Sequence, residues 1–123
     1  MRTVPIATVL MTFVLVLGGS AAEQTSTVRG YMLDSACAFT KSLDKPVSRA
    51  CALACAKGGS PLVILADDGN IYWPISNATP AGGQNPKLLK FAGERVSASG
   101  KVFQRGGSRA IVIEKITPEA TKK

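Results

Sequence analysis

The 123-residue chain contains no histidine. That absence removes Ser-His-Asp and Cys-His nucleophile systems, His-ligated metal centres and His-ligated haem. Acidic side chains are scarce, 8 against 15 Lys plus Arg, for a formal charge of +7. None of the carboxylates stands at a spacing that marks an acid/base couple, which argues against an enzyme. The glycine pairs at 58–59, 82–83 and 106–107 lack the strand, G-x-G-x-x-G and helix order of a phosphate-binding fingerprint. There is no internal repeat and no low-complexity block. Apolar residues still make up 46% of the chain, too many for a disordered one. The length fits one domain.

One long hydrophobic run is present. Ala7 to Leu17 follows the positive Arg2 and precedes Gly18-Gly19 and the small residues Ser20-Ala21-Ala22. This order predicts a secretory signal peptide over 1–22, cut before Glu23. The run is short of the ~20 apolar residues that a membrane span needs. The expected mature unit is one domain over 23–123, with its core at about 28–116. Its expected compartment is periplasmic or extracellular, where disulfides persist. Loss of Arg2 leaves 14 basic and 8 acidic side chains.

The rest of the chain alternates strand and helix signals. Val28–Leu33 is a predicted strand, preceded by a polar stretch expected to fray, and Asp34–Asp44 a predicted loop. Pro46–Lys57 is a predicted helix, capped by Asp44, with Val47, Ala50, Cys51, Ala54 and Cys55 on one stripe. Pro61–Ala66 and Asn70–Ile75 are strands joined by Asp67-Asp68-Gly69, read as a type I′ hairpin at Asp68-Gly69. Pro74 places an edge or an end in the second of these. A short helix over Pro86–Ala92 is capped by Asn85 and stopped by Gly93. Two more strands, Glu94–Phe103 and Ser108–Ile116, flank Arg105-Gly106-Gly107. In the first, Val96, Ala98, Gly100 and Val102 share a face, and Gly100 marks a bend or bulge. In the second, Ile111 and Ile113 are expected opposite Val112 and Ile116. A polar tail follows from Thr117.

Five strands with a helix between the third and fourth match a mainly β, five-stranded Greek-key barrel of the OB-fold kind. The Cys-bearing helix is then an insertion between strands one and two.

Chemistry concentrates at Cys37, Cys51 and Cys55. Cys51 and Cys55 are four apart, so a helix puts both thiols on one face, poorly placed to bond each other. Cys37 is the better partner for either. Such a staple closes a loop of ~15–19 residues, worth ~3 kcal/mol on the chain-entropy account. It leaves one cysteine over. Alternatively the three thiols, with Met32, suit Cu(I), which prefers sulfur ligands. Thiol-redox chemistry is a further alternative, although no Cys-x2-Cys is present.

The second feature is a basic surface beside aromatics. OB-folds bind oligonucleotides or oligosaccharides on the face of strands two and three. Tyr72 and Trp73 lie there, and alternation sends one outward. With Lys101 and Arg105 they are the candidate ligand face. Asp34, just after the first strand, is the carboxylate least explained by cap or turn roles. Its simplest role is to bond nearby backbone.

Three stretches carry a resemblance: Gly30–Cys37 (GYMLDSAC), Cys51–Gly59 (CALACAKGG), and Phe91–Val102 (FAGERVSASGKV) after the hairpin at Asp67–Asn70. Together they resemble a family of short, exported bacterial OB-fold-like proteins of uncharacterised function. The resemblance implies a fold and a compartment but no reaction. Such sequences carry His before the paired cysteines, and this chain does not. The Cys-x3-Cys spacing also resembles copper sites in electron-transfer assembly proteins. The expected function is therefore a non-catalytic envelope module. Its partner would be an envelope protein, a cell-wall polymer or an anionic surface, and export argues against nucleic acid. Two alternatives stand beside it: a Cys-based copper or thiol protein, and a polyanion or oligosaccharide binder.

Overall fold

The computed structural model describes residues 24–41 and 48–120, together with Thr3. The leader expected over 1–22, Thr3 apart, and the helix start expected at Asp44, Pro46 and Val47 lie outside the described residues. The elements are β1 (Gln24–Asp34), α1 (Ser35–Thr40), α2 (Arg49–Lys57), β2 (Leu62–Ala66), β3 (Ile71–Pro74), α3 (Asn85–Leu88), a 3-10 turn (Leu89–Phe91), β4 (Arg95–Arg105) and β5 (Ser108–Pro118).

The strands close into a barrel in the order β1-β2-β3-β5-β4. All pairings are antiparallel except β3 with β5. This is the OB-fold arrangement expected from the element order, with the Cys-bearing segment inserted between β1 and β2. Alternation fills the interior. Val28 and Met32 from β1, Leu62 and Ile64 from β2, Val96 and Ala98 from β4, and Ile111 from β5 are buried together. Each large aliphatic side chain so buried contributes about 1.5–3 kcal/mol. Leu88, Phe91 and Ala92 close one end of this cluster, and Ala52 and Ala56 of α2 join it.

Several expected boundaries shift, each for a local reason. Residues 24–27, expected to fray, extend β1 because Gln24 to Thr27 pair with Val102 to Ser99 of β4. The loop expected after Asp34 begins instead with α1. α2 is capped by Ser48, whose hydroxyl accepts from Cys51 N at 3.2 Å. Its core face is Ala52 and Ala56, with Leu53 packed alongside. Ala50, Cys51 and Ala54 are exposed, so the expected apolar stripe is not the buried one. The β2–β3 turn is a three-residue loop with positive φ at Gly69 alone (85°), where a type I′ turn needs it at Asp68 as well. Asn85 does not cap α3. Its Oδ1 accepts from Leu62 N (2.9 Å), and its Nδ2 donates to the carbonyls of Ala56 (3.1 Å) and Ser60 (2.7 Å). It thus ties the end of α2 to the start of β2.

A bulge accounts for the last correction. Ser99 pairs with Lys115 but Gly100 with Ile113, so Glu114 is the extra residue on β5. The insertion flips the parity, and Ile116 packs on the core with Ile111 and Ile113 instead of opposite them. At this bend a Cβ on Gly100 would lie 1.9 Å from the Val112 carbonyl oxygen, so only glycine fits. Beyond the expected end of the strand, Glu119 N still donates to the Arg95 carbonyl at 2.8 Å.

Candidate functional site

Two groups of side chains stand out, and α1 touches both. The first lies on the outer face of β3, β5 and β4. Register sets Trp73 beside Ala110 and Ala110 beside Phe103. A methyl group between two large rings leaves a trough. The resulting groove, about 350 Å³, is lined by Trp73, Phe103, Arg105, Ser108, Arg109 and Ala110. Phe39 of α1 extends the aromatic wall. Its ring centroid is 6.4 Å from that of Trp73, and Phe39 is 65% exposed, the one large apolar side chain so open among the described residues. Arg105 and Arg109 supply positive charge at the groove.

Of the four residues expected on the ligand face, Trp73 and Arg105 meet here. Tyr72 faces the other way, as strand alternation requires. It packs against the core and lines a separate cavity of about 420 Å³ with Ser26, Thr27, Val28, Arg29, Ala66, Asp67 and Asp68. Lys101 stands on β4 between Thr25 and Val112 and does not line the groove. Phe39, Phe103 and Arg109 are the members that sequence reasoning missed. Phe103 and Arg109 become visible only once the β3–β5 and β4–β5 registers are known.

The second group surrounds Asp34. This residue ends β1 and caps α1: its Oδ1 accepts from Ala36 N (3.0 Å), Cys37 N (3.2 Å) and Ser60 Oγ (3.1 Å). Ser60 N in turn donates to the Cys55 carbonyl at 3.1 Å. One carboxylate thereby fixes the start of α1 against the end of α2. Asp34 is 2% exposed, and no hydrogen bond of good geometry reaches its Oδ2. The Cys37 and Cys55 thiols lie beside it. Burial alone would raise the Asp34 pKa, but bonds from Cys37, Ser60 and Ala36 outweigh it and hold the carboxyl below its ordinary value. The ionised carboxylate acts on the thiols in the opposite sense. Its interaction with the Cys37 thiol, then burial, push that group up to about 11. Burial, then the Asp34 charge and Cys51, raise Cys55.

All three cysteines are free, so the expected bridge from Cys37 is not formed in this structure. Cys51 is exposed, and the other two are half-buried. A redox-active thiol needs a lowered pKa, and Cys37 and Cys55 are shifted the other way. Met32, the fourth expected sulfur ligand, is fully buried in the barrel core. Among the described residues, no three Cys, Asp or Glu side chains already surround a metal-sized centre.

A third cluster is structural. Arg95, buried on β4, forms a two-pronged pair with Asp67, lies 3.9 Å from Glu119, and stands 5.8 Å over the Tyr31 ring. Arg29 adds a contact to Glu119 at 3.7 Å.

Comparison with known protein families, characterised proteins and solved structures gives no significant match. No helix among the described residues is long and apolar enough to cross a membrane.

Proposed function

We propose that the protein is an exported, non-catalytic binding module whose groove at Trp73, Phe103, Arg105 and Arg109 takes an acidic oligosaccharide segment of an envelope polymer. The single observation behind this reading is the placement of two rings about a small residue, beside two guanidinium groups. The flat apolar faces of Trp73 and Phe103 suit the apolar face of a sugar ring. Arg pairs with carboxylates in a fixed, two-pronged geometry. The net positive charge raises the local concentration of an anionic chain. The hydrophobic run at 7–17 and the small residues after it support an exported location.

Calorimetric titration with oligogalacturonate, and with a neutral oligosaccharide of equal length, tests the reading. Binding of the acidic chain should weaken as salt rises, because exposed charge pairs are screened. Trp73→Ala should lower affinity at least about tenfold, or ~1.4 kcal/mol. Arg105→Ala with Arg109→Ala should flatten the salt dependence. Equal binding of the neutral chain would reject the role given to the arginines.

A further inference from the structure

We infer that Asp34, Cys37, Cys51 and Cys55 form a binding site for one soft d10 cation, Cu(I) first and Zn(II) second. The inference is independent of the oligosaccharide reading and uses the opposite side of α1.

The geometry begins with the carboxylate. Asp34 Oδ1 is fully used, accepting from Ala36 N, Cys37 N and Ser60 Oγ, while no hydrogen bond of good geometry reaches the buried Oδ2. An ionised oxygen buried without such a bond is expensive, and a cation is the partner that satisfies it best. The Cys37 and Cys55 thiols lie beside this carboxylate. Cys37 follows from the cap itself, three residues along the chain. Cys55 is delivered by the bond from Ser60 N to its carbonyl. Cys51 stands one helical turn earlier on the same side of α2.

The donor set selects the metal. Thiolates favour Cu(I) and Zn(II), whereas Mg2+ and Ca2+ need several oxygens. With no histidine in the chain, nitrogen ligands of the imidazole type are excluded. Three sulfurs complete a trigonal shell for Cu(I), and the Asp34 oxygen can add the fourth ligand that tetrahedral Zn(II) requires.

The side chains are not yet gathered about one point. Each cysteine turns about a single side-chain torsion, and the proposal requires rotamer changes that bring the three thiols together between α1 and α2. Each metal–sulfur bond formed releases one thiol proton to solvent. No electron is transferred, so no oxidant or reductant takes part in the binding step.

The test is an anaerobic titration of the purified, reduced protein with Cu(I), in competition with bicinchoninate. A parallel arm uses Zn(II) against a chromophoric chelator. One Cu(I) per chain should be withdrawn from the competitor, with thiolate-to-copper ultraviolet absorption and a rise in melting temperature that ties binding to the folded state. Cys55→Ala and Cys37→Ser should each weaken binding at least a hundredfold. Asp34→Asn should weaken it about tenfold; because that change also removes a cap, Cys51→Ser serves as the exposed ligand variant least coupled to folding. Stoichiometric binding in the Zn(II) arm alone would keep the site and assign it to the divalent ion. The inference fails if neither ion competes with its chelator, or if the Cys37→Ser and Cys55→Ala proteins bind as the parent does.

Discussion

Asp34 shows how one residue sets the local electrostatics. Its carboxyl caps α1, binds Ser60 and remains ionised, and the cost appears on the thiols beside it. Loss of an N-cap costs about 0.5–2 kcal/mol. Asp34→Ala should therefore lower the unfolding free energy, measured by chemical denaturation, by an amount in that range, with α1 the first segment to lose amide protection. The pH dependence has a fixed sign. A carboxyl held below its unfolded value of about 3.9 contributes stability that is complete above that pH. The contribution disappears as the acid limb falls through the lowered folded value, and Asp34→Asn should remove this part of the limb. Cys37 acts in reverse. With its thiol pushed up to about 11, its contribution is complete below the unfolded pKa of about 8.5 and is lost as the pH rises through 11. Alkylation timed by mass spectrometry should label exposed Cys51 first at neutral pH. Cys37 should lag until the pH approaches 11. Faster labelling of Cys37 at pH 7 would contradict the assigned electrostatics.

At the level of elements, the β4–β5 ribbon decides the curvature of the barrel and the shape of the groove. The bulge at Glu114 turns Ile116 inward, and Gly100 admits the Val112 carbonyl where no side chain fits. Gly100→Ala should destabilise the fold by more than about 3 kcal/mol or prevent folding, since backbone must move to admit the methyl group. Gly82→Ala, where a Cβ meets nothing within 4 Å, should stay within about 0.5 kcal/mol of the parent. Chemical denaturation of both variants reads the contrast. The elements themselves were legible from alternation in Val96–Val102 and from the turn at Gly69. Periodicity could not supply the bulge, because one extra residue reverses every inward assignment beyond it. It also misassigned the buried face of α2. Ala and Cys are small enough to look apolar on either side of a helix, and the choice was made by the strand and turn residues packed against Ala52 and Ala56.

In the whole molecule, Arg95 gathers distant segments at one end of the barrel. It links β4 to the β2–β3 turn through Asp67 and to the residue after β5 through Glu119, and its guanidinium stands over Tyr31 of β1. Asp67→Ala removes the main partner of a buried cation and should cost about 1.5–3 kcal/mol, measured by chemical denaturation. Nothing local in the sequence announces this pair, because Asp67 and Arg95 are 28 positions apart and meet only when the barrel closes. The same holds for the groove. Trp73 and Arg105 could be named from their types, but Phe103 and Arg109 required the strand order, and Phe39 required α1. Tyr72 and Trp73 were separated by alternation as expected, with Trp73 lining the groove.

The groove carries the central claim, and amide and indole shifts of nitrogen-15-labelled protein report on it directly during titration with oligogalacturonate. The expected result is a saturable change confined to the Trp73 indole, Phe39 and residues 103–110, lost in Trp73→Ala. Shifts that cluster instead around Tyr72, Asp67 and Asp68, or no shift at saturating ligand, would contradict the account.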